Sequence, residues 1–438
     1  MKLSAGKTVS LSIQHVLAMY AGAVMVPLIV GDALGLTTEQ LTYLVSADIL
    51  MCGIATLLQV WKNRFFGIGL PVVLGCTFTA VSPMITIASK YGIPAIYGSI
   101  IAGGLIIILF SFFFGKLVRF FPPVVTGSVV TVIGITLIPT AMNNMAGGQG
   151  SRDFGSLSNL ALAFSVLLMI ILLNRFTKGF LKSISILIGL LAGTIAASLM
   201  GKVDFTDVAN AGWMQMIHPF YFGTPVFEIT PIITMTLVLI VSLVESTGVY
   251  FALGDLADRS LTEKDLAKGY RAEGIAVLFG GIFNAFPYTA YSQNVGLVQL
   301  TGVKKNSVIA LAGVFLIILG LFPKAAALTT VIPKPVLGGA MVAMFGMVIA
   351  YGIKMLSRVD FAEQENLLIV ACSVGIGLGV TVVPQMFQQL PDAVKLLTEN
   401  GIVAGSLTAI ILNAIFHIHP FSRPSEHPDR VVPEKSAV

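Results

Sequence analysis

From Gly274 to Val303 the chain runs for thirty residues without one Asp, Glu, Lys or Arg, enough to cross the roughly 30 Å hydrocarbon core of a bilayer. Its middle, Phe286 to Gly302, cannot cross as a plain helix. Pro287 lacks an N–H, Thr289 and Tyr291 favour extended backbone, and Gln293 and Asn294 place two amides where lipid would leave them unsatisfied. Irregular backbone at membrane depth is tolerated only where protein or a watery cavity satisfies it, so this stretch is expected to line a cavity. The residue order predicts extended chain and then a half-helix beginning near Gln293, its N-terminal N–H groups aimed at whatever binds near the midplane. On composition alone, Gln293 and Asn294 could equally tie neighbouring helices together.

The remainder is of the same kind. Of 438 residues 56% are hydrophobic and 11% charged, where a soluble domain carries about a quarter charged. The chain therefore reads as an all-α polytopic membrane protein. Fourteen apolar stretches are separable, the third at 67–87, the eighth at 231–251, the ninth at 268–285, the tenth at 293–303 and the eleventh at 307–321. The start has no small-residue cleavage site after a short apolar region, so it reads as a tail and first helix. With the N-terminus placed in the cytoplasm, twenty of the 26 basic residues fall on that side, which predicts both termini inside a cell membrane. The net charge of +5 follows from this topology and implies no nucleic-acid partner. Cys52, Cys76 and Cys372 lie scattered without CxxC spacing and read as small buried hydrophobes, not as a zinc site or a disulfide framework.

Fourteen spans divide into two halves of seven. Phe121-Pro-Pro-Val-Val-Thr-Gly127 before the fifth span resembles Ile332-Pro-Lys-Pro-Val-Leu-Gly338 before the twelfth, 211 residues later. A similar offset carries the broken tenth span onto the third, where Leu70-Pro-Val-Val-Leu-Gly-Cys-Thr-Phe-Thr79 is again interrupted. Because seven is odd, the second half must insert upside down. The expectation is 14 transmembrane segments as a 7+7 inverted repeat, with short extended stretches and half-helices in segments 3 and 10 and a site shared between them.

Two carboxyls stand out. Glu245 follows sixteen uncharged residues, and a charge at mid-helix costs about 2.5 to 3.5 kcal/mol on insertion scales, which points to function. Glu273 adjoins Arg271 and Lys268, and the local sequence places it at the cytoplasmic edge of the ninth span as an interfacial charge. Asp255, Asp258, Asp360 and Glu363 read as ordinary loop or interface charges. The chain has no HExxH, no GxSxG and no phosphate-binding P-loop, and so no sign of an enzyme or a bound cofactor.

Gln293, Asn294, Gly296, Thr301 and Gly302 reproduce the signature Gln-Asn-x-Gly-x4-Thr-(Arg/Lys/Gly), and on it the chain resembles the nucleobase-ascorbate transporter, or nucleobase-cation-symport-2, family. The resemblance implies a core domain from 1–115 and 229–325, a gate domain from 116–228 and 326–420, and a cytoplasmic tail at 421–438. It also implies a homodimer carrying a purine nucleobase between core and gate. Glu245, in Glu-Ser-Thr-Gly, matches the glutamate that contacts the base, and a carboxylate accepts from two N–H groups. Gln293 would pair with an N–H and a C=O, and Gln there is typical of xanthine or uric acid carriers, Glu of uracil carriers. The main chain of Phe78 and Ser292 matches substrate-holding positions, and the Phe78 ring could stack on the base. The resemblance assigns His15, in Gln-His, a supporting role. Thr77 would tune specificity or cap a half-helix, and Asn294 would brace α-helical structure at the site from the side. Glu273 stands twenty residues before Gln293, where relatives carry an essential aspartate, which makes it, with Glu245, a proton-coupling candidate. The implied activity is proton symport of xanthine. Uric acid and uracil are the competing substrates, Na⁺ the competing ion, and a channel the competing class.

Overall fold

The computed structural model describes residues 4–117, 121–391, 395 and 398–417. The 421–438 tail, and with it Arg423, Arg430 and Lys435, lies outside the described residues, as do Lys2 and Arg119. In chain order the elements are α1 (Ala5–Ala33), α2 (Thr38–Val60), β1 (Leu74–Cys76), a 3-10 turn (Phe78–Ala80), α3 (Val81–Tyr91), α4 (Ile93–Leu117), α5 (Pro123–Met145), α6 (Leu157–Phe176), α7 (Phe180–Ser183), α8 (Ser185–Leu199) and α9 (Thr206–Asn210). There follow α10 (Ile229–Leu256), α11 (Glu263–Ile282), β2 (Tyr288–Ala290), α12 (Ser292–Thr301), α13 (Asn306–Gly320), α14 (Pro323–Thr330), α15 (Lys334–Leu356), α16 (Gln364–Val382) and α17 (Gly401–His417).

Among the described residues eight helices are long and apolar enough to cross a membrane. Two more apolar helices, α8 and α17, are shorter. α13 and α14 bend by 79° at the intervening break, and α14 lies beyond the eleventh apolar stretch at 307–321. The sequence reading started the ninth span late. α11 begins at Glu263 because Thr262 and Asp265 form a capping box, each side chain bonded to the other's backbone N–H.

The halves of the chain are inverted copies. β1 and β2, 214 residues apart at the paired Gly75 and Thr289, run antiparallel. The two proline motifs start α5 and α15, where proline's fixed φ and missing N–H suit a first turn. These two helices lie antiparallel, since Gly127 near the start of α5 meets Leu356 at the end of α15, and Gly338 near the start of α15 meets Met145 at the end of α5. Their contact is backbone on backbone. A methyl added to Gly134 or Gly352 would stand 2.8 Å or 2.6 Å from a nitrogen of the opposite main chain, the close approach that small residues permit in membranes. Elsewhere α4 packs on α10 and α11, α2 on α13, and α16 on α17.

Candidate functional site

The site is built around the crossing of β1 and β2. Leu74, Gly75 and Cys76 pair with Ala290, Thr289 and Tyr288, and the ladder is extended by Tyr291 N–H to Val73 C=O (3.0 Å) and Thr77 N–H to Pro287 C=O (2.9 Å). Each broken segment thus satisfies the other's backbone, which is how extended chain persists at this depth. Asn284, at φ +59°, turns the chain out of α11 toward β2. Gly75 is required by packing, because a Cβ there would lie 2.5 Å from the Tyr291 ring. The Tyr291 hydroxyl donates to Cys76 C=O at 2.8 Å.

The half-helix starts at Ser292, one residue before the predicted position, and the signature explains its anatomy. Asn294 Nδ2 donates to His15 C=O (3.0 Å) and to His15 Nδ1 (3.1 Å), so His15 carries its proton on Nε2 and α12 is tied sideways to α1. Gly296 faces open space, with no atom within 4 Å of a Cβ placed there. Thr301 donates to Leu297 C=O at 2.7 Å, and Gly302, at φ +65°, ends the helix in the left-handed region that glycine enters freely.

A cavity of about 560 Å³ opens beside α12. Ser292, Val295, Gly296 and Gln299 line one wall, a stripe of α10 from Ile240 to Leu256 another, and Tyr351, Lys354 and Met355 of α15 the third. Asp255, read from the sequence as an ordinary charge, lines its mouth with Arg358. Glu245 and Gln293 flank this lining without belonging to it. Each is one residue from a lining residue and partly accessible. The Glu245 carboxyl faces the Thr289 hydroxyl of β2. Among the described residues no protein group bonds the Gln293 amide. The Phe78 ring packs edge-to-face on Phe345 of α15, 5.4 Å between centroids at 83°. Thr77 is buried as the N-cap of the 3-10 turn, accepting from Thr79 N–H at 3.3 Å. Its hydroxyl also meets Thr79 Oγ1 and, at 3.2 Å, Ser242 Oγ.

For Glu273 the local sequence and the resemblance pointed to different depths. It is not interfacial but 1% exposed, about 15 Å into α11, because α10 and α2 cover it. Tyr250 of α10 donates to its Oε1, Gln59 of α2 donates to the Tyr250 oxygen at 2.6 Å, and Glu273 Oε2 is left without a protein partner. Ser246 lies near Glu273, accepts from Ala290 N–H at 2.9 Å, and shares a 3.2 Å bond with Thr289. Two hydroxyls therefore stand between Glu245 and Glu273.

Sequence reasoning missed Asp48. It is fully buried on α2, and Cys52 and Cys76, read as plain hydrophobes, both meet its carboxyl. The signal was present, since Asp48 is a lone charge in an apolar span just as Glu245 is.

A helical membrane protein with two broken spans, their short strands paired beside a cavity, is organised as a transporter. The Permease family model (Xan_ur_permease) matches residues 6–386, and the chain belongs to that nucleobase-ascorbate transporter family. It is 73% identical to a xanthine permease of Bacillus subtilis strain 168, over 99% of both chains. It is 66% identical to the uric acid permease PucK of the same organism, over 93% of this chain and 94% of that one. The transmembrane domain of a cyanobacterial bicarbonate transporter, BicA, shares the fold at a TM-score of 0.59 and 16% identity, over 93% of this chain and 98% of that one. SLC26A9 does so at 0.57 and 13% identity, over 92% and 65%.

Proposed function

We propose that the protein is a secondary active transporter that imports a purine nucleobase, xanthine by preference, in symport with protons. The observation that carries the reading is the pairing of an unbonded amide, Gln293, with a carboxylate, Glu245, beside one cavity, in a chain similar to a xanthine permease. Glu245 would accept from two N–H groups of the base while Gln293 matches an adjacent N–H and C=O. The main chain of Ser292 and Phe78 would hold the ring. Uric acid is the second reading, favoured by the 66% identity to a uric acid permease.

Coupling would use Glu245 and Glu273, with Ser246 and Thr289 between them to relay a proton. Residues 1–115 and 229–325 would form the core and 116–228 and 326–420 the gate, a division that follows the helix pairings. The cavity lies at the C-terminal end of α15, among the basic residues assigned to the cytoplasm. The opposite end of α15, about 34 Å away, is held to the core by Lys334–Asp32 (2.8 Å), with Lys90–Glu399 (2.8 Å) beside the same face. Exposed pairs of this kind contribute about 0.2 to 1 kcal/mol each, weak enough to break in every cycle. Cytoplasmic termini and a homodimer belong to the same reading.

The test is uptake of labelled xanthine by cells expressing the protein, with unlabelled bases as competitors. Accumulation above equilibrium that a protonophore collapses is the expected result. Equilibration without accumulation would indicate a passive pore, and stronger competition by uric acid would exchange the preferred substrate. Glu273→Gln is expected to leave xanthine binding within about threefold of the parent while abolishing accumulation. Loss of binding with accumulation preserved would remove Glu273 from the proton route.

A further inference from the structure

Asp48 is a buried carboxyl that no step above uses. It sits on α2 behind the strand crossing, 0% exposed, and no ion pair among the described residues includes it. All its contacts are donors. Phe286 N–H, at the entry to β2, donates to Oδ1 at 3.2 Å. The Cys76 thiol, at the end of β1, donates to Oδ2, and the Cys52 thiol approaches the same oxygen at 3.9 Å. Two turns further along α2, the Thr56 hydroxyl holds Leu74 of β1, accepting from its N–H at 3.1 Å and donating to its C=O at 3.4 Å. α2 thus carries β1, and Asp48 links the end of β1 to the Phe286 N–H that leads into β2.

We propose that Asp48 is a positioning residue of the substrate site, setting the register between the third and tenth segments so that the main chain of Phe78 and Ser292 is presented to the ligand. The proposal rests on the nucleobase-carrier reading. A carboxylate suits the task because both oxygens accept, one from an amide N–H and one from a thiol. Asparagine supplies an acceptor on one side only and turns an NH₂ toward two sulfurs, which accept weakly. None of its hydrogen-bond partners among the described residues lines the cavity, so it acts on the ligand through the strands.

The experiment measures KM and Vmax for labelled xanthine, normalised to surface protein, in the parent and in Cys76→Ala, Cys76→Ser, Asp48→Asn and Asp48→Ala. Cys76→Ala and Asp48→Asn each lose the same hydrogen bond and should raise KM roughly three- to tenfold with Vmax within twofold. The double variant should be no worse than the weaker single one, because both remove one interaction. Cys76→Ser restores a donor and should return KM to the parental value. Asp48→Ala loses both grips and should exceed the singles, and if it fails to reach the surface the cysteine pair decides alone. The order of competing bases and the pH profile of uptake should not move in any variant. Parental KM in Cys76→Ala and Asp48→Asn, or a flattened pH profile in Asp48→Asn, overturns the assignment, the latter by making Asp48 a proton carrier. A parent that takes up uric acid and not xanthine changes the base to be measured and nothing else. A parent that binds no base overturns the functional reading and this one with it.

Discussion

The two broken segments share a backbone plan and differ in how much of their polarity they consume. In the third, Thr77, Thr79 and the neighbouring Ser242 bond one another, Thr77 caps the turn that leads into α3, and the cluster is closed to solvent. In the tenth, Tyr291 caps α12 without a side-chain bond, Ser292 and Gly296 face the cavity, and the Gln293 amide is unpaired among the described residues. The repeat therefore supplies the strand pairing, while the cavity-lining polar positions lie on one arm. The Gln293 amide is partly accessible beside the cavity, and on the proposed reading a ligand completes it.

That asymmetry breaks first at Glu245. Glu245→Gln is expected to weaken xanthine affinity more than about 100-fold at normal surface expression, since an acceptor of two N–H groups becomes half donor. Binding to membranes carrying the variant would show it, and near-parental affinity would move the base away from Glu245, which stands on α10 facing the tenth segment through Thr289. Next is Gln293→Glu, which cannot donate to a purine carbonyl. The expected loss is roughly five- to 150-fold in affinity, with flattened discrimination among competing bases. If ligand order and affinity survive this change, α12 is scaffolding.

Asn294→Ala tests the brace without touching the ligand. It frees α12 from His15 and should lower the transport rate roughly three- to tenfold while competition profiles keep their order. The smallest effect belongs to the closed arm. Thr77→Val removes a cap of about 1 kcal/mol and should reduce the yield or melting temperature of the purified protein, whereas Thr77→Ser should be neutral in both. A reordered competitor series in Thr77→Val would make the third segment a reader of the base after all, and the contrast between the arms would disappear.

The membrane class, the broken segments and the repeat were legible because their signals are local or periodic. Hydropathy marks spans, and Pro, Gly and Thr within apolar sequence mark interruptions regardless of neighbours. The half-helix at Ser292 and its end at Gly302 are likewise written into about ten residues. Glu245 and Gln293 could be selected as polar groups at apolar depth, although not their relation to the cavity, whose wall comes from α5, α10 and α15 as well as α12.

What the sequence by itself determined is the set of segments that must be buried in lipid and the two that cannot be simple helices. The tertiary structure decided which polar groups find partners. Glu273 looked interfacial beside Arg271 because charge spacing is read along the chain, yet α2 and α10 cover it. Asp48 meets Cys76 across 28 residues and Phe286 across 238, and His15 meets Asn294 across 279. Burial and hydrogen bonding are properties of what packs against a residue. In an inverted repeat some of those partners, such as Phe286 for Asp48 and Asn294 for His15, come from the other half of the chain, where no local pattern can announce them.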